Sequence, residues 1–446
     1  MNKWERKIHF QQNKSKYIKR GTIALSVVLL ILGVIYITYS KFESTQEYTL
    51  INGKMVSNGD ASIIAIYQGD TKVDSIPARD AGYYFDRAEC SNGATASWNV
   101  TDWSLNVNTS GKTKCTLYFV QGTNAVTYIN NLGQTDTTNL IADGTSDNNL
   151  RYVGANPNNY VRFNNELWRI IGVMNNIKTA GGTTESLIKL IRNESLGVYS
   201  WDSSDSSIND GYGINQWGES ESYEGADLMR ELNNDYLGNV KVGTDGKWYD
   251  GPDNGKWGTM PSSTLSQISQ SMIENVVWNL GAPNNNGGVF DNNWWQNFTT
   301  EFSYTGERAS TNGKICTSGK SCNDTVLRTT SWTGKIALMY PSDFGFATSG
   351  GTTNNRNYCL NYRLNDWNDA SDCYNNDWLY KDTTQFTLSP VISSGYIGYG
   401  VLYFDGALGI DSEAGNSSEV FPSLYLKSSI AITGGEGTES NPYTLG

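Results

Sequence analysis

Short runs in which apolar and polar residues alternate occur over most of the chain, a pattern typical of β-strands. Between residues 45 and 120 these runs are separated by Asn-Gly and Ser-Gly pairs, which favour tight turns. The pattern therefore predicts a small, β-sandwich-like domain over residues 45–120. Its predicted strands are residues 63–67, 83–85, 103–107 and 115–120.

A mixed α+β pattern begins at residue 160. The runs VRFNNELWRIIGV and SLIKLIR predict two strands of a hairpin joined across residues 175–184. The preceding segment, residues 121–159, is rich in Asn, Thr, Gly and Asp, and we interpret it as a linker or lead-in. We therefore expect an α+β fold class, with a second, loop-rich domain at residues 160–446.

Two apolar stripes with a helical spacing follow the predicted hairpin. Leu228, Leu232 and Tyr236 predict a helix over residues 226–237, with acidic residues near its N-terminus. A second helix is predicted over residues 263–280, where a serine can cap the N-terminus and a glycine the C-terminus. Its stripe consists of Leu265, Ile268, Met272 and Val276.

An uncharged apolar stretch, residues 21–40, predicts a transmembrane helix, because twenty residues at ~1.5 Å each cross a bilayer core of ~30 Å. Residues 1–20 carry seven basic side chains and one acidic side chain, a balance of +6 that favours a cytoplasmic tail. We therefore expect a single-pass protein of the cell membrane with residues 41–446 outside the cell. A cleaved signal peptide is the alternative, but no small-residue cleavage site follows the stretch, and Tyr36 and Tyr39 lie at its exit.

Charge and composition reduce the number of functions that the chain could have. The net charge is −12, so the chain beyond residue 20 sums to −18 (−12 minus +6), which argues against a nucleic-acid partner. The single histidine, His9, lies in the predicted tail, so the expected exterior lacks the residue that most zinc sites and catalytic triads use.

All six cysteines follow the predicted membrane helix, where an oxidising exterior allows disulfides to persist. Six cysteines allow 15 pairings, and C-x-x-C pairs typical of zinc sites are missing. The favoured pairing joins neighbours along the chain: Cys90 with Cys115, Cys316 with Cys322, and Cys359 with Cys373. We expect the first bridge to join two strands of the β domain much as a two-sheet sandwich is stapled.

The chain contains five distinctive strings: GYYFDRAECSNGATASWNVTDWSL, NNYVRFNNELWRIIGV, WTGKIALMYPSDFGFATSGG, QFTLSP and VFPSLYLKSSIAITGGEGTESNPYTLG. Together they resemble an uncharacterised family of membrane-anchored surface proteins from Gram-positive gut bacteria. The similarity covers most of residues 60–446 and implies a location on the cell surface. It also implies that the C-terminal domain is similar in layout to C-type-lectin-like folds, without implying an activity.

Acidic residues are concentrated in LNDWNDASDCYNNDWLY, within and beside the expected Cys359 to Cys373 loop. Asp366, Asp369 and Asp372, together with Asp377 and nearby asparagines, provide the oxygen ligands that Ca²⁺ prefers. The alternative is a solvated loop whose Asp and Asn side chains cap turns. The same two alternatives apply to a second acidic stretch that contains Asp202, Asp205 and Asp210.

Tryptophans set among amides suggest sugar recognition, because sugar rings stack on aromatic faces while amides bind the hydroxyl groups. The candidate ligand-binding residues are Trp294, Trp295, Trp367 and Trp378. The alternative is that these rings pack in the core of a loop-rich domain.

The sequence as a whole predicts a surface adhesin or binding protein for a glycan or a protein. No catalytic residue is predicted, and no cofactor is expected apart from calcium, because nucleophile-elbow, P-loop and zinc-protease motifs are missing. Two alternatives stay open. One is a carboxylate-dependent hydrolase of glycans or cell wall, and the other is a structural surface component without a small ligand.

Overall fold

The computed structural model describes much of the chain beyond the N-terminus. The described residues are 46–202, 217–218, 225–237, 265–280, 299, 304, 307, 331–350, 355–393, 396–404, 407–411 and 414–446. No helix within these ranges is long and apolar enough to cross a membrane. The predicted tail, residues 1–20, and the predicted membrane helix, residues 21–40, lie outside them.

Residues 46–121 form an N-terminal β unit of two four-stranded sheets. The strands are β1 Gln46–Leu50, β2 Gly53–Ser57, β3 Ala61–Gln68, β4 Thr71–Val73, β5 Tyr83–Cys90, β6 Thr95–Asn99, β7 Ser104–Asn108 and β8 Thr113–Gln121. One sheet has the order β1-β2-β7-β6 and the other β4-β3-β8-β5. Three of the four predicted strands, residues 63–67, 83–85 and 115–120, lie within β3, β5 and β8. The fourth, residues 103–107, is shifted by one residue from β7, because Trp103 lies in the preceding turn at positive φ.

An aromatic cluster joins the two sheets of the N-terminal β unit. Trp98 of one sheet stacks on Phe85 of the other, with ring centroids 5.1 Å apart, and meets Phe119 edge-on at 5.4 Å. Trp103 meets Trp98 edge-on at 5.2 Å, and its indole N–H donates to the carbonyl oxygen of Pro77 at 2.8 Å. Burial of four large rings, with the polar N–H of Trp103 paired, accounts for the cohesion of this unit.

The disulfide Cys90–Cys115 is present, but it does not staple the two sheets as expected. Cys90 and Cys115 are directly opposite residues of β5 and β8, which are antiparallel neighbours in one sheet. The bridge therefore reinforces an existing strand pair, and the aromatic cluster connects the two sheets.

The described residues from 122 onward form an α+β region that contains seventeen strands. They are β9 Thr123–Asn124, β10 Leu140–Ala142, β11 Leu150–Tyr152, β12 Tyr160–Phe163, β13 Glu166–Lys178, β14 Thr184–Arg192, β15 Val198–Ser200, β16 Val276–Asn279, β17 Ser331–Gly334, β18 Ile336–Ala337, β19 Gln385–Ser393, β20 Tyr396–Phe404, β21 Leu408–Asp411, β22 Ser417–Glu419, β23 Ser423–Tyr425, β24 Ala431–Gly434 and β25 Thr444–Leu445.

The helices of this region are short. They are α1 Ala125–Gly133, α2 Asp227–Glu231 with a π-helical turn Leu232–Tyr236, α3 Gln267–Met272, α4 Pro341–Ala347, α5 Arg356–Leu360, a 3₁₀ helix Leu364–Asp369 and α6 Ser371–Tyr374.

A seven-stranded sheet forms the centre of the α+β region, in the order β10-β11-β13-β14-β23-β18, with β12 also paired to β13. The predicted hairpin is confirmed, since β13 and β14 pair antiparallel. Asn164 and Asn165, both at positive φ, turn the chain between β12 and β13. Seven consecutive residues of β13, from Trp168 to Met174, are buried, so both faces of the sheet are covered.

Three further sheets complete the described fold: β15-β22-β19-β20-β21, β25-β24-β9 and the pair β16-β17. In the second sheet, β9 pairs with β24 from the C-terminal part of the chain. The segment that we interpreted as a linker or lead-in, residues 121–159, thus supplies α1 and β9–β11 to the α+β fold.

The two predicted helices had different outcomes. The first is confirmed as α2 and its π-helical turn, and Leu228, Leu232 and Tyr236 are all fully buried. The second prediction was wrong in extent, because α3 covers only Gln267–Met272 and the chain then continues into β16. β-Branched and aromatic residues occupy β16, which pairs with β17, so strand pairing overrides the helical stripe.

Candidate functional site

Trp367 and Trp378, two of the predicted sugar-stacking residues, are buried at 0% and 5% exposure. The indole N–H of Trp378 donates to the carbonyl oxygen of Tyr152 at 2.9 Å. Its ring faces the Arg169 guanidinium, whose central carbon lies 4.5 Å from the ring centroid. Both rings pack in the core of the α+β region, and neither lines a cavity described below. Trp294 and Trp295 lie outside the described residues.

Arg169 is itself buried and lies against both Trp378 and Tyr160, 4.1 Å from the Tyr160 centroid. It donates to the side-chain oxygen of Asn159 at 2.7 Å. Burial lowers the pKa of Arg169 to about 10, which leaves the guanidinium charged at neutral pH. This contact between cation and rings explains why Trp378 belongs to the core.

The predicted calcium ligands do not come together as a metal site. Asp366 and Asp369 lie on the 3₁₀ helix and Asp372 on α6, and the last two are exposed. No group of three or more His, Cys, Asp or Glu side chains in the described ranges could hold a metal ion. The disulfide Cys359–Cys373 is present and ties α5 to α6.

Some of the other predicted residues lie outside the described residues. Cys316 and Cys322 are outside it, as are Asp205 and Asp210. Asp202 is buried and accepts a hydrogen bond from the backbone N–H of Asp227 at 3.3 Å. The structure thus gives this aspartate a role in holding the start of α2.

A different group of residues forms a cavity of about 270 Å³, which we call the aromatic pocket. It lies where the end of β13, β16, the start of α4 and the loop after β10 meet. Four rings and four amides contribute to its walls, together with Asp147 and Lys178. The amides are Asn149, Asn175, Asn176 and Asn279. The rings are Trp278, Tyr304, Tyr340 and Tyr425, each at most 5% exposed, so each reaches the cavity with only a small part of its surface.

Hydrogen bonds and ring contacts fix the aromatic wall. The centroids of Trp278 and Tyr425 are 4.9 Å apart. The indole N–H of Trp278 donates to the carbonyl oxygen of Gly334 at 3.0 Å, and the Tyr340 hydroxyl donates to the carbonyl oxygen of Asn279 at 2.9 Å. The wall is therefore held rigid, and a rigid wall loses little entropy when any ligand binds to it.

A buried charge network supports the pocket from beneath. It consists of Asp143, Arg151, Lys189 and Asp343, whose side chains are at most 1% exposed. Arg151 joins the two carboxylates with N–O distances of 2.8 Å, and Lys189 contacts Asp343 at 2.6 Å. Among these four side chains each buried cation thus has a carboxylate partner, as buried charges require. A further largely buried cation, Arg356, lies close enough to interact with Arg151 and Asp143.

The network also positions the rings of the pocket. The Lys189 ammonium lies 4.6 Å from the centroid of Tyr340 and 5.8 Å from that of Tyr425. Asp343 accepts the backbone N–H of Tyr340 at 2.9 Å and so caps α4. Lys189 and Asp343 therefore connect the central sheet to the ring that begins α4.

The amide wall is joined to the same network. The Asn149 side chain donates to Asp143 and to the Tyr304 hydroxyl, both at 2.8 Å, and that hydroxyl donates to Asp147 at 2.7 Å. Burial by itself raises the pKa of Asp143, but Arg151 and the hydrogen bonds outweigh burial and hold this pKa below its ordinary value. Asp143 therefore stays ionised as an acceptor for Asn149.

The size and chemistry of the aromatic pocket suit a small, polar, ring-shaped ligand. Its volume lies just below the ~300 to 1,000 Å³ of typical pockets for drug-sized ligands. Asp147 is the only carboxylate among the described lining residues, whereas glycoside hydrolysis ordinarily uses two.

Sequence reasoning missed this pocket, although one signal was present. Lys189 interrupts the apolar strand SLIKLIR, and a lysine on a buried strand requires a partner. That partner, Asp343, lies 154 residues further along the chain, so local patterns could not reveal it.

The comparisons with known proteins place no constraint on the pocket. The chain matches no protein-family model, no curated protein and no solved structure.

Proposed function

We propose that this protein is a membrane-anchored extracellular binding protein whose aromatic pocket holds a sugar ring of a glycan. The N-terminus is cytoplasmic, residues 21–40 form the anchor, and the N-terminal β unit is a β-sandwich-like spacer. The α+β region carries the pocket on a C-type-lectin-like scaffold. The observation that carries the proposal is one cavity that combines four aromatic side chains with four amides.

Sugar chemistry matches these walls. The C–H faces of a pyranose pack on aromatic rings, and its hydroxyl groups both donate and accept hydrogen bonds, as amides do. The side-chain groups of Asn149 and Asn175 are already engaged in hydrogen bonds within the protein, so these two amides shape the wall and lose little entropy when a ligand binds. Hydrogen bonds to a ligand fall to the other two amides. The exposed Asn176 and Lys178 provide contacts at the rim of the pocket.

A glycan array with the full-length chain in detergent micelles tests this function. Ile177, a half-buried lining residue, gives a pocket-filling variant, Ile177→Trp. Ile64→Trp, at an exposed position on β3, is the matched control. We expect selective binding that falls at least about tenfold in Ile177→Trp and is unchanged in Ile64→Trp. An array without selective signal for the wild-type protein rules the function out.

A structural surface component without a small ligand is the second candidate. The burial of Trp367 and Trp378 favours it, because these rings pack in the core. Ordered self-assembly of the purified protein, seen by electron microscopy together with a silent glycan array, would support this candidate over the first.

A further inference from the structure

A second and larger cavity, about 750 Å³, lies between the N-terminal β unit and α3. We call it the neutral groove. Its floor is the outer face of β2, β7 and β6, and α3 with the residue before it forms a wall. The lining residues with polar side chains are Asn58, Thr95, Ser97, Asn99, Asn106, Asn108, Ser266, Gln267 and Ser271.

The two sides of the neutral groove are held together by hydrogen bonds. The Ser97 hydroxyl donates to the side-chain oxygen of Gln267 at 3.3 Å. The Ser271 hydroxyl donates to the backbone oxygen of Ile268 within its own helix at 2.7 Å and lies 3.4 Å from the backbone oxygen of Trp98 on strand β6. Because α3 lies against β6, the pairing of an added peptide strand with the edge of β6 is disfavoured. A ligand in the groove would therefore contact the face of the sheet.

The lining is uncharged, although the chain carries a net charge of −12. The described lining residues include five amides, four hydroxyl groups and no Asp, Glu, Lys, Arg or His. Val56 and Ile268 add apolar contacts. A charged ligand would lose its hydration here without gaining an ion pair, whereas an uncharged hydroxylated ligand would exchange its hydrogen bonds with water for bonds to amides.

Some of the polar groups only build the walls. Asn58 donates to the side-chain oxygen of Asn108 at 2.6 Å and accepts the backbone N–H of Thr109 at 2.8 Å. Asn99 accepts the backbone N–H groups of residues 101 and 102, which closes a turn. These two amides have their hydrogen-bonding groups engaged within the protein.

Other polar groups are available to a ligand. The half-buried side-chain amide of Asn106 forms no hydrogen bond within the described part of the chain. Asn106 lies opposite Val56 on one neighbouring strand and Ser97 on the other, which places it at the centre of the floor. The side-chain N–H groups of Asn108 and Gln267 are likewise uncommitted among the described residues.

We propose that the neutral groove is a second binding site, specific for an uncharged oligosaccharide, and that Asn106 provides its central hydrogen bonds. The inference rests on the proposed glycan-binding function and adds the class of ligand and a site that the aromatic pocket does not include. The described lining contains no titratable side chain, and two charges beside the floor, Glu47 opposite Val56 and Lys54 two residues before it, pair with each other at 2.9 Å. Binding of an uncharged ligand here should therefore depend only weakly on salt.

Calorimetry with the full-length chain in detergent micelles tests the inference. The ligands are uncharged β-1,4-linked tetrasaccharides of glucose, N-acetylglucosamine and mannose, with a sialylated tetrasaccharide for comparison. Asn106→Leu keeps the side-chain size but removes the hydrogen bonds, and Ser97→Trp fills the groove. Thr116→Trp, on the outer face of the other sheet, is the matched control.

We expect one uncharged tetrasaccharide to bind with equal affinity at 50 and 500 mM salt. Asn106→Leu should weaken binding about tenfold, Ser97→Trp should abolish it at the groove, and Thr116→Trp should leave it unchanged. Binding that survives Ser97→Trp but is lost in Ile177→Trp would overturn the groove and leave the proposed function standing. A preference for the sialylated ligand would overturn the ligand class, and the absence of any binding to the wild-type protein would overturn both proposals.

Discussion

Asp377 illustrates how burial changes the chemistry of one residue. One of its carboxylate oxygens accepts the backbone N–H of Leu379 at 2.9 Å, and the other has no hydrogen-bond partner within the described part of the chain. Burial raises the pKa of Asp377 well above its ordinary value of 3.8, and the backbone hydrogen bonds oppose this only in part. Asp377 is therefore protonated at acid pH and resists ionisation as the pH rises.

This raised pKa predicts how stability depends on pH. Above about pH 4 the unfolded chain releases the proton of Asp377 while the folded chain retains it, so stability falls as the pH rises from 4. We expect Asp377→Asn to match the wild-type melting temperature at pH 4 and to exceed it at pH 8. Asp372→Asn, at an exposed position, is the control and should leave the pH profile unchanged. Parallel profiles for Asp377→Asn and the wild-type protein would contradict the assignment.

The buried charge network gives a second prediction. Asp343 forms ion pairs with both Lys189 and Arg151, so removing its charge breaks two buried ion pairs. Breaking a buried ion pair in this way lowers the free energy of unfolding by about 3 to 5 kcal/mol. Lys189→Met should lower the free energy of unfolding by less, because Asp343 retains its ion pair with Arg151. We expect the free energy of unfolding in urea to decrease more in Asp343→Asn than in Lys189→Met. The reverse order would show that Lys189 is the centre of the network.

The type of a residue predicted its contacts in the fold only in part. The sequence indicated that Trp378 has an important contact, but a sugar and an arginine both stack on indole, and Arg169 is 209 positions away. Trp278, Tyr340 and Tyr425 attracted no attention, because each is separated in sequence from the others that share its pocket. Long-range pairing of this kind leaves no local pattern.

At the scale of elements, hydrophobic periodicity predicted a helix or strand correctly where the whole segment packs against one part of the core. The β13–β14 hairpin and α2 were found because their apolar residues face one continuous core. Residues 263–280 were misjudged because Leu265 and Val276 are both buried, yet the first precedes α3 and the second lies on β16. An apolar stripe does not reveal a change from helix to strand within it.

The disulfides provide a prediction about strand pairing. Cys90–Cys115 closes 25 residues and Cys359–Cys373 closes 14, so loop entropy predicts that losing the first costs about 0.5 kcal/mol more than losing the second. The β5–β8 hydrogen bonds keep their register in either state, so we expect a lower melting temperature without loss of β structure. Paired Cys→Ser variants measured by circular dichroism test this. A collapsed β spectrum in Cys90→Ser/Cys115→Ser would show that the bridge sets the register.

At the scale of the whole molecule, charge is divided between the two ends. The first 20 residues carry +6, and the residues after them carry −18. A basic tail favours the anionic inner surface of a membrane, while an acidic exterior repels other acidic surfaces. This charge asymmetry supports the proposed topology. It also agrees with an uncharged groove, because the binding of an uncharged ligand is not affected by the negative potential of the exterior.

The proposed anchor gives a final prediction about the intact protein. If residues 21–40 cross the membrane, the mature chain retains its N-terminus, sediments with membranes and resists extraction by alkaline carbonate. Protease added to intact cells should remove residues beyond 45 while the basic tail is protected, and deletion of residues 1–44 should release a soluble protein. Mass spectrometry of the mature chain distinguishes the alternative, since a cleaved signal peptide would leave a chain that begins after residue 40. That result would remove the anchor, and binding at the aromatic pocket would then have to act in a secreted protein.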